Sequence, residues 1–325
     1  MLIILKFCCF FIKAGFMKYK NYILPVGIII TLIISIFVPS PGIYVKEHNG
    51  IEISVIAIFL VYGYTHNFSE FHSGRKFLKG LIVVSIINLI AAPLLSMGIS
   101  PLLLPISAGL GLIVMSCMPP TLSSGVVITD VAGGNIILAL IFTIALNILA
   151  LFTIPIMLSI GLGSIYPIGI SPVVLFSKLL LIVFIPFALG KIIKLITTAF
   201  MNSRIVKIIP TLCILLAIWA SMSNSADSLV IFTIKDILLI FGGALTVHCI
   251  LLLLNYSGGT FIKLNSADKK AMVFVGSQKT LPLAVFVLST FSIINAAPII
   301  VCIIFHFTQL LLDSLIASIV NKDPI

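Results

Sequence analysis

The sequence predicts an all-α polytopic membrane protein of about ten transmembrane helices, arranged as two inverted five-helix repeats. Three observations carry that expectation: a composition too apolar for a water-facing surface, a one-sided distribution of basic residues, and matching interruptions in the fourth and ninth apolar segments. Of 325 residues, 61% are hydrophobic and 9% are charged, and mean hydropathy is +1.32. A soluble domain carries about 25% charged residues, because its surface must meet water. This composition excludes a soluble enzyme, a nucleic-acid binder and a disordered chain. It makes the lipid bilayer the first partner.

A membrane-crossing helix needs about 20 mainly apolar residues. With Pro, Gly and clustered charge as punctuation, such segments lie near 22–39, 51–66, 78–97, 102–127, 135–160, 172–192, 207–224, 236–256, 271–291 and 296–319. Runs such as LLLIVFIP lack the alternation that a membrane β-barrel requires. Residues 1–21 form a short basic and apolar extension, 22–320 the transmembrane domain (repeat one about 22–160, repeat two about 172–320), and 321–325 a tail. Within the extension, MLIILKFCCFFIKAGF is too short to span, is interrupted by Lys6 and Lys13, and lacks a small-residue cleavage signal. It reads either as sequence preceding a true start at Met17 or as an interfacial anchor.

Charge orients the segments. With a cytoplasmic N-terminus, the inner side holds Lys6, Lys13, Lys18, Lys20, Arg75, Lys76, Lys79, Lys191, Lys194, Arg204, Lys207, Lys263, Lys269, Lys270 and Lys322. The outer side holds only Lys46, Lys178 and Lys235, and Lys279 falls inside a segment. The positive-inside rule then places both termini in the cytoplasm. The six cysteines sit in apolar runs without disulfide or metal spacing, so no resident cofactor is expected.

Five helices per half give the halves opposite orientation, the arrangement of transporters whose sites lie at discontinuous helices. The fourth segment contains Met118-Pro119-Pro120-Thr121-Leu122-Ser123-Ser124-Gly125, and the ninth contains Gly276-Ser277-Gln278-Lys279-Thr280-Leu281-Pro282. Each interruption starts at a closely similar distance into its half. Prolines remove backbone donors. Unwinding frees carbonyls for a cation, while the N-terminus of the next half-helix attracts an anion. Thr121, Ser123, Ser124, Ser277, Gln278, Lys279 and Thr280 are therefore the candidate substrate and ion ligands. The bland alternative is a pair of proline kinks that serve packing alone.

Several polar residues allow two readings. A lysine at mid-membrane costs about 2.5–3.5 kcal/mol on insertion scales, so Lys279 is either a built-in cation, a group that releases a proton during a cycle, or a snorkelling side chain. Asp130 either pairs with Lys279 or sits solvated in a turn. Asn135, beside Gly133-Gly134, reads as an interhelical donor. His306, Gln309 and Asp313 share one helix face and make either a proton relay or a polar seam. His248 reads as a packed histidine. Glu52, Glu70, His66 and His72 fall at helix ends, and the sequon Asn67-Phe68-Ser69 falls in an inner loop. Enzymatic readings have little support: HExxH, GxGxxG and a Walker loop are absent. Ser124 with His248 or His306 lacks a recognisable positioned base and oxyanion donors.

The segments MPPTLSSGVVITDVAGGN and GSQKTLPLA resemble the bile acid:sodium symporter superfamily, and most closely its SBF-like branch, over essentially the whole of 22–320. The resemblance implies a panel domain from helices 1, 2, 6 and 7 and a core domain from helices 3–5 and 8–10, with helices 4 and 9 crossing at their breaks. It implies transport of a small organic anion by alternating access with Na+ or H+ coupling, and, since the branch has bacterial members, a bacterial inner membrane. Sodium-coupled relatives hold two sodium ions with Ser, Asn and Thr groups, a helix-9 glutamate and a glutamine. Thr121, Ser123 and Ser124 match the helix-4 cluster and Gln278 the glutamine, so these four are the implied Na+ ligands. The glutamate's place is taken by Phe274 or Val275, and the asparagine after the glutamine is Lys279. Sodium at that position is expected to bind weakly while Lys279 is charged. Eukaryotic members of the branch associated with calcium regulation supply a second functional reading, a non-transporting regulator of ion homeostasis.

Overall fold

A computed structural model describes residues 23–65, 75–103, 106–165, 171–200, 203–223, 233–291 and 297–320. All regular structure among the described residues is helical. The N-terminal extension, the tail, His66, His72 and the Asn67 sequon lie outside them.

The first segment is bent. Helix α1 (Ile23–Phe37) and α2 (Pro39–Glu47) meet at 99°, because Pro39 disfavours helical backbone at Val38, which sits at φ −134°, ψ 66°. Helix α3 (Gly50–Thr65) follows. Next come α4 (Arg75–Ile86), a π-helical turn (Ile87–Ala91) and α5 (Ala92–Leu103), then α6 (Ile106–Cys117). Pro119-Pro120 stop α6, and the chain re-enters helix at α7 (Ser124–Val131). The link to α8 (Ile136–Ile165) passes through Gly133 at φ 68°, a left-handed backbone that glycine adopts without steric cost.

The second half begins with α9 (Pro172–Leu179), a π-helical turn (Leu180–Phe184), α10 (Ile185–Ile196) and α11 (Arg204–Ser223). Helix α12 (Ile234–Phe261) starts from a capping box between Thr233 and Asp236. Asn265 caps α13 (Ser266–Ser277) through Asp268 N–H at 2.7 Å. Extended backbone at Gln278 and Thr280 separates α13 from α14 (Leu281–Ser289), and α15 (Ala297–Val320) closes the chain.

Each of the ten expected segments contains helix, but among the described residues six runs are long and apolar enough to cross a membrane, or seven if α1 and α2 form one bent span. The shortfall has local causes: the first segment kinks before Pro39, the fourth is unwound after Cys117, and α3 and α11 are the short apolar helices of the second and seventh.

Two sets of helices pack together. In one, α3 lies against α10 and α11, and α11 lies against α1 and α2. A Cβ on Gly63 would stand 2.0 Å from the Phe187 carbonyl oxygen, and one on Gly190 would stand 2.1 Å from that of Leu60, so α3 and α10 touch backbone to backbone. In the other, α13 packs on α12, α8 and α7, and α15 packs on α6, α12 and α14. The sets meet where α14 touches α3 and α11. Leu281 through Leu288 are buried without exception, whereas Ile33, Leu181, Leu195 and Leu253 are at least half exposed. Such outward apolar surface is what a hydrocarbon solvent accepts.

Candidate functional site

The two interruptions meet inside the bundle. Thr280 N–H donates to the Pro119 carbonyl at 2.9 Å, joining one unwound backbone to the other. Unwound backbone in an apolar interior must find partners, and here most of its groups do. Met118 O accepts from Lys279 Nζ at 2.9 Å, and Pro120 O accepts from Asn147 Nδ2 at 3.1 Å. On the other strand, Gln309 holds both backbone groups of Lys279, accepting from its N–H at 2.9 Å and donating to its carbonyl at 2.7 Å. Asn88 Nδ2 donates to Gly276 O at 2.9 Å and to Gln278 O at 3.1 Å.

Lys279 is completely buried. Its ammonium donates to Asn88 O at 2.5 Å, Met118 O at 2.9 Å and Asn88 Oδ1 at 3.2 Å. The Asn88 carbonyl is free for a specific reason. In the π-helical turn Ala92 N–H bonds Ile87 O, and the next residue, Pro93, has no N–H to offer. The helix thus presents an orphan carbonyl beside the Asn88 amide. π-turns recur at functional positions for this kind of reason.

A second cluster lies on the other face of the junction. Thr121 Oγ1 and Ser124 Oγ are in close hydrogen-bond contact, and each lies 2.8 Å from Gln278 Oε1. Three oxygens converge, with only two hydroxyl protons among them. A Cβ on Gly125 would come within 3.3 Å of Gln278 Oε1, so glycine there leaves room for the amide. Gln278 Nε2 donates to Asp313 Oδ2 at 2.8 Å, and Asp313 Oδ1 lies 2.8 Å from His248 Nε2. Gln278, Asp313 and His248 are all fully buried.

The structure thus gathers Thr121, Ser124, Gln278, Lys279, Thr280, Gln309 and Asp313. Ser277 is buried beside them, but its hydroxyl turns back toward Phe274 O at 3.4 Å. Ser123 stands apart: it is exposed, and Tyr62 of α3 hydrogen-bonds it. Asp130 is exposed within the last turn of α7, and Lys279 Nζ bonds Asn88 and Met118 instead. Asn135 bonds Asp268 Oδ1 at 2.7 Å, pinning the start of α8 to that of α13. His306 contacts Gln309 at 3.1 Å, and Asp313 turns away from it to His248.

Asn88 and His248 belong to the site, although the sequence reading left Asn88 aside and took His248 for packing. Pro93, five residues after Asn88 within an apolar run, was the available signal for the first. For His248, only the tertiary pairing with Asp313 reveals the role.

These features define an integral membrane protein with a polar, interrupted-helix centre, the build of a transporter. The chain belongs to the SBF-like CPA transporter family, whose profile matches residues 23–322. It is 28% identical over 303 residues to the probable sodium/metabolite cotransporter BASS4, chloroplastic, of Arabidopsis thaliana, a match covering 86% of this chain and 68% of that protein. The protein of the same name from Oryza sativa subsp. japonica is 27% identical over 321 residues, covering 92% and 75%. Sodium/bile acid cotransporter 7-A of Xenopus laevis is 29% identical over 179 residues, covering 52% of this chain and 51% of its own.

Proposed function

We propose that the protein is a secondary active transporter that moves a small organic anion by alternating access, coupled to Na+ or H+. The observation that carries this reading is the junction of the two unwound segments, with a fixed ammonium on one face and converging hydroxyl and amide oxygens on the other. Lys279 stands where a coupling cation would sit, bound by the same kinds of oxygen. Two unit positive charges 4 Å apart repel by about 4 kcal/mol at an effective dielectric of 20, so a sodium ion adjoining it is disfavoured. Thr121, Ser124 and Gln278 offer a separate, partial Na+ site. An anion meets the positive N-terminus of α7 and the ammonium beyond it. The sodium named for the plant and amphibian relatives supports a cation-linked cycle.

The same reading includes ten helices in two inverted five-helix repeats, helices 4 and 9 crossing, both termini in the cytoplasm and a bacterial inner membrane. In that orientation α14 forms the outer half of the ninth span and α7 the inner half of the fourth. α14 is sealed beneath α3 and α11, while Ser123, Val127 and Val131 on the α7 side are exposed.

The second reading, a regulator of ion homeostasis that transports nothing, draws on the missing helix-9 glutamate and on Lys279 standing in the place of a neutral ligand. Counterflow in proteoliposomes separates the two. Labelled pyruvate, glutarate and taurocholate, chosen first by thermal shift with and without sodium, are the probes. Exchange of at least one is expected, and exchange of none with well-folded protein would favour the regulator.

A further inference from the structure

The outward face of α12 changes character near its end. Leu253, Tyr256 and Phe261 are each more than half exposed, and Ser257 and Thr260 add exposed hydroxyls between them. From Leu253 to Thr260 the helix rises about 10 Å. A face that passes from leucine to tyrosine to hydroxyls over that rise marks the level where hydrocarbon gives way to headgroups, the depth at which tyrosine concentrates.

Two lysines are held at that level by the backbone around them. A Cβ on Gly259 would stand 2.9 Å from Lys269 Cγ, so the Lys269 stem crosses α12 where the glycine leaves room. Its ammonium then lies 4.8 Å from the centre of the Tyr256 ring, a cation over an aromatic face. Lys263 sits at φ 56° just past the helix end, where its N–H donates to Thr260 O and that of Leu264 donates to Gly259 O, both at 3.0 Å. Such a helix-ending position ordinarily takes glycine or asparagine. The helix dipole rewards a cation there only weakly at an exposed site, and strained backbone retained for a charged residue is characteristic of ligand clamps. A Cβ on Gly80 would stand 3.9 Å from Leu264 Cδ1, which brings the exposed Lys79 to the same end of the bundle. Neighbouring Asp268 does not neutralise these charges: Asn135 Nδ2 and Asn265 Nδ2 donate to its carboxylate at 2.7 and 2.9 Å. Among the described residues no carboxylate lies within 4 Å of Lys79, Lys263 or Lys269.

We infer that Lys263, Lys269 and the Tyr256 ring form a binding site for the phosphate headgroup of an anionic phospholipid. The two ammoniums bind phosphate oxygens, the ring holds one of them in place, and an acyl chain lies along the exposed Leu253 and Leu254. Basic pockets at the membrane surface recognise headgroups in this way. A soluble phosphate could use the same ammoniums but has nothing to set against the apolar half of the patch, so the lipid is the occupant that fits both. The site joins the end of α12 to the start of α13, the half-helix whose other end leads to Gln278 and Lys279. A bound headgroup therefore braces the α12–α13 turn, whether or not the chain transports.

The test titrates full-length protein in detergent with dioleoyl-phosphatidylglycerol or dioleoyl-phosphatidylcholine, with bound lipid counted by native mass spectrometry. Phosphatidylglycerol should bind more tightly by about tenfold or more. Lys269→Gln and Lys263→Gly should each weaken its binding about fivefold, the equivalent of about 1 kcal/mol per lysine near an anionic surface. Lys178→Gln, at an exposed lysine of α9, should leave binding unchanged. Tyr256→Leu, which frees the Lys269 ammonium, should bind more weakly than Tyr256→Phe. Lys263→Gly relieves the left-handed backbone, so it should melt no lower than the wild type in phosphatidylcholine, and its lost binding is then not lost folding. Equal affinity for the two lipids, unchanged binding in both lysine variants, or a loss in Lys178→Gln as large as in theirs would overturn the site. Inorganic phosphate in excess should leave phosphatidylglycerol bound; displacement by phosphate would make this a site for a soluble anion and refute the lipid assignment.

Discussion

Replacing Lys279 by alanine asks what its ammonium does for the junction. The substitution strips partners from three buried acceptors, Asn88 O, Asn88 Oδ1 and Met118 O. Each unsatisfied acceptor costs about 1–3 kcal/mol, and the sum is partly offset because a buried charge no longer has to be desolvated. Three such acceptors sum to roughly 3–9 kcal/mol, and that offset leaves a net loss of about 3–5 kcal/mol. At about 2 °C per kcal/mol, the melting temperature should fall by roughly 6–10 °C. The emptied position is lined by three oxygens, so sodium should re-enter it. An ion at a hundred times its dissociation constant contributes about 2.7 kcal/mol, which recovers roughly 5 °C. The assay is thermal unfolding of purified Lys279→Ala in sodium chloride against choline chloride, beside the wild type. A variant that melts within about 1 °C of the wild type, or that gains no more from sodium than the wild type does, refutes the idea of a tethered cation.

Three further outcomes are expected. Reporter fusions after Lys79, Lys207, Lys270 and the C-terminus should all read cytoplasmic; two periplasmic readings would end the inverted-repeat proposal. Gly63→Ala should destabilise by about 1–3 kcal/mol or more, since its methyl would sit 2.0 Å from the Phe187 carbonyl, and normal yield and melting would contradict the backbone contact of α3 with α10. Combined Thr121→Ala and Ser124→Ala should remove any sodium-dependent shift of the wild type while changing the melting temperature in choline by only a few degrees; an unchanged sodium response would place that site elsewhere.

How much of this was readable in the chain depends on whether the signal was local. Helix content and membrane residence follow from composition, and the interruptions follow from Pro119-Pro120 and from the polar run ending at Pro282, all visible within a dozen residues. That Thr121, Ser124 and Gln278 come together required the two interruptions to meet, which paired position in the two halves suggested. The role of Asn88 depended on two local facts acting jointly, an amide side chain and a proline five residues on, and neither is conspicuous alone. For Asp313, periodicity fixes the face it shares with His306 and Gln309 but not its depth. Its partner proved to be His248 on another helix rather than His306 on its own, since residues seven apart share a face without touching. The carboxylate that Gln278 meets comes from the last helix, a pairing that no single segment could disclose.

The anchoring of Lys279 also bears on how the chain enters the membrane. The run Ser266–Ser289 is almost wholly buried and carries a lysine that costs about 2.5–3.5 kcal/mol at the centre of a lone helix. Its acceptors, Asn88 and Met118, belong to segments synthesised long before it. Integration of this segment is thereby made conditional: it becomes favourable once the earlier helices stand ready to receive the ammonium. Biogenesis of the second half should therefore depend on completion of the first, and a fragment beginning after Met118 should leave Ser266–Ser289 poorly inserted. A single buried side chain thus sets an order of assembly as well as a charge at the site.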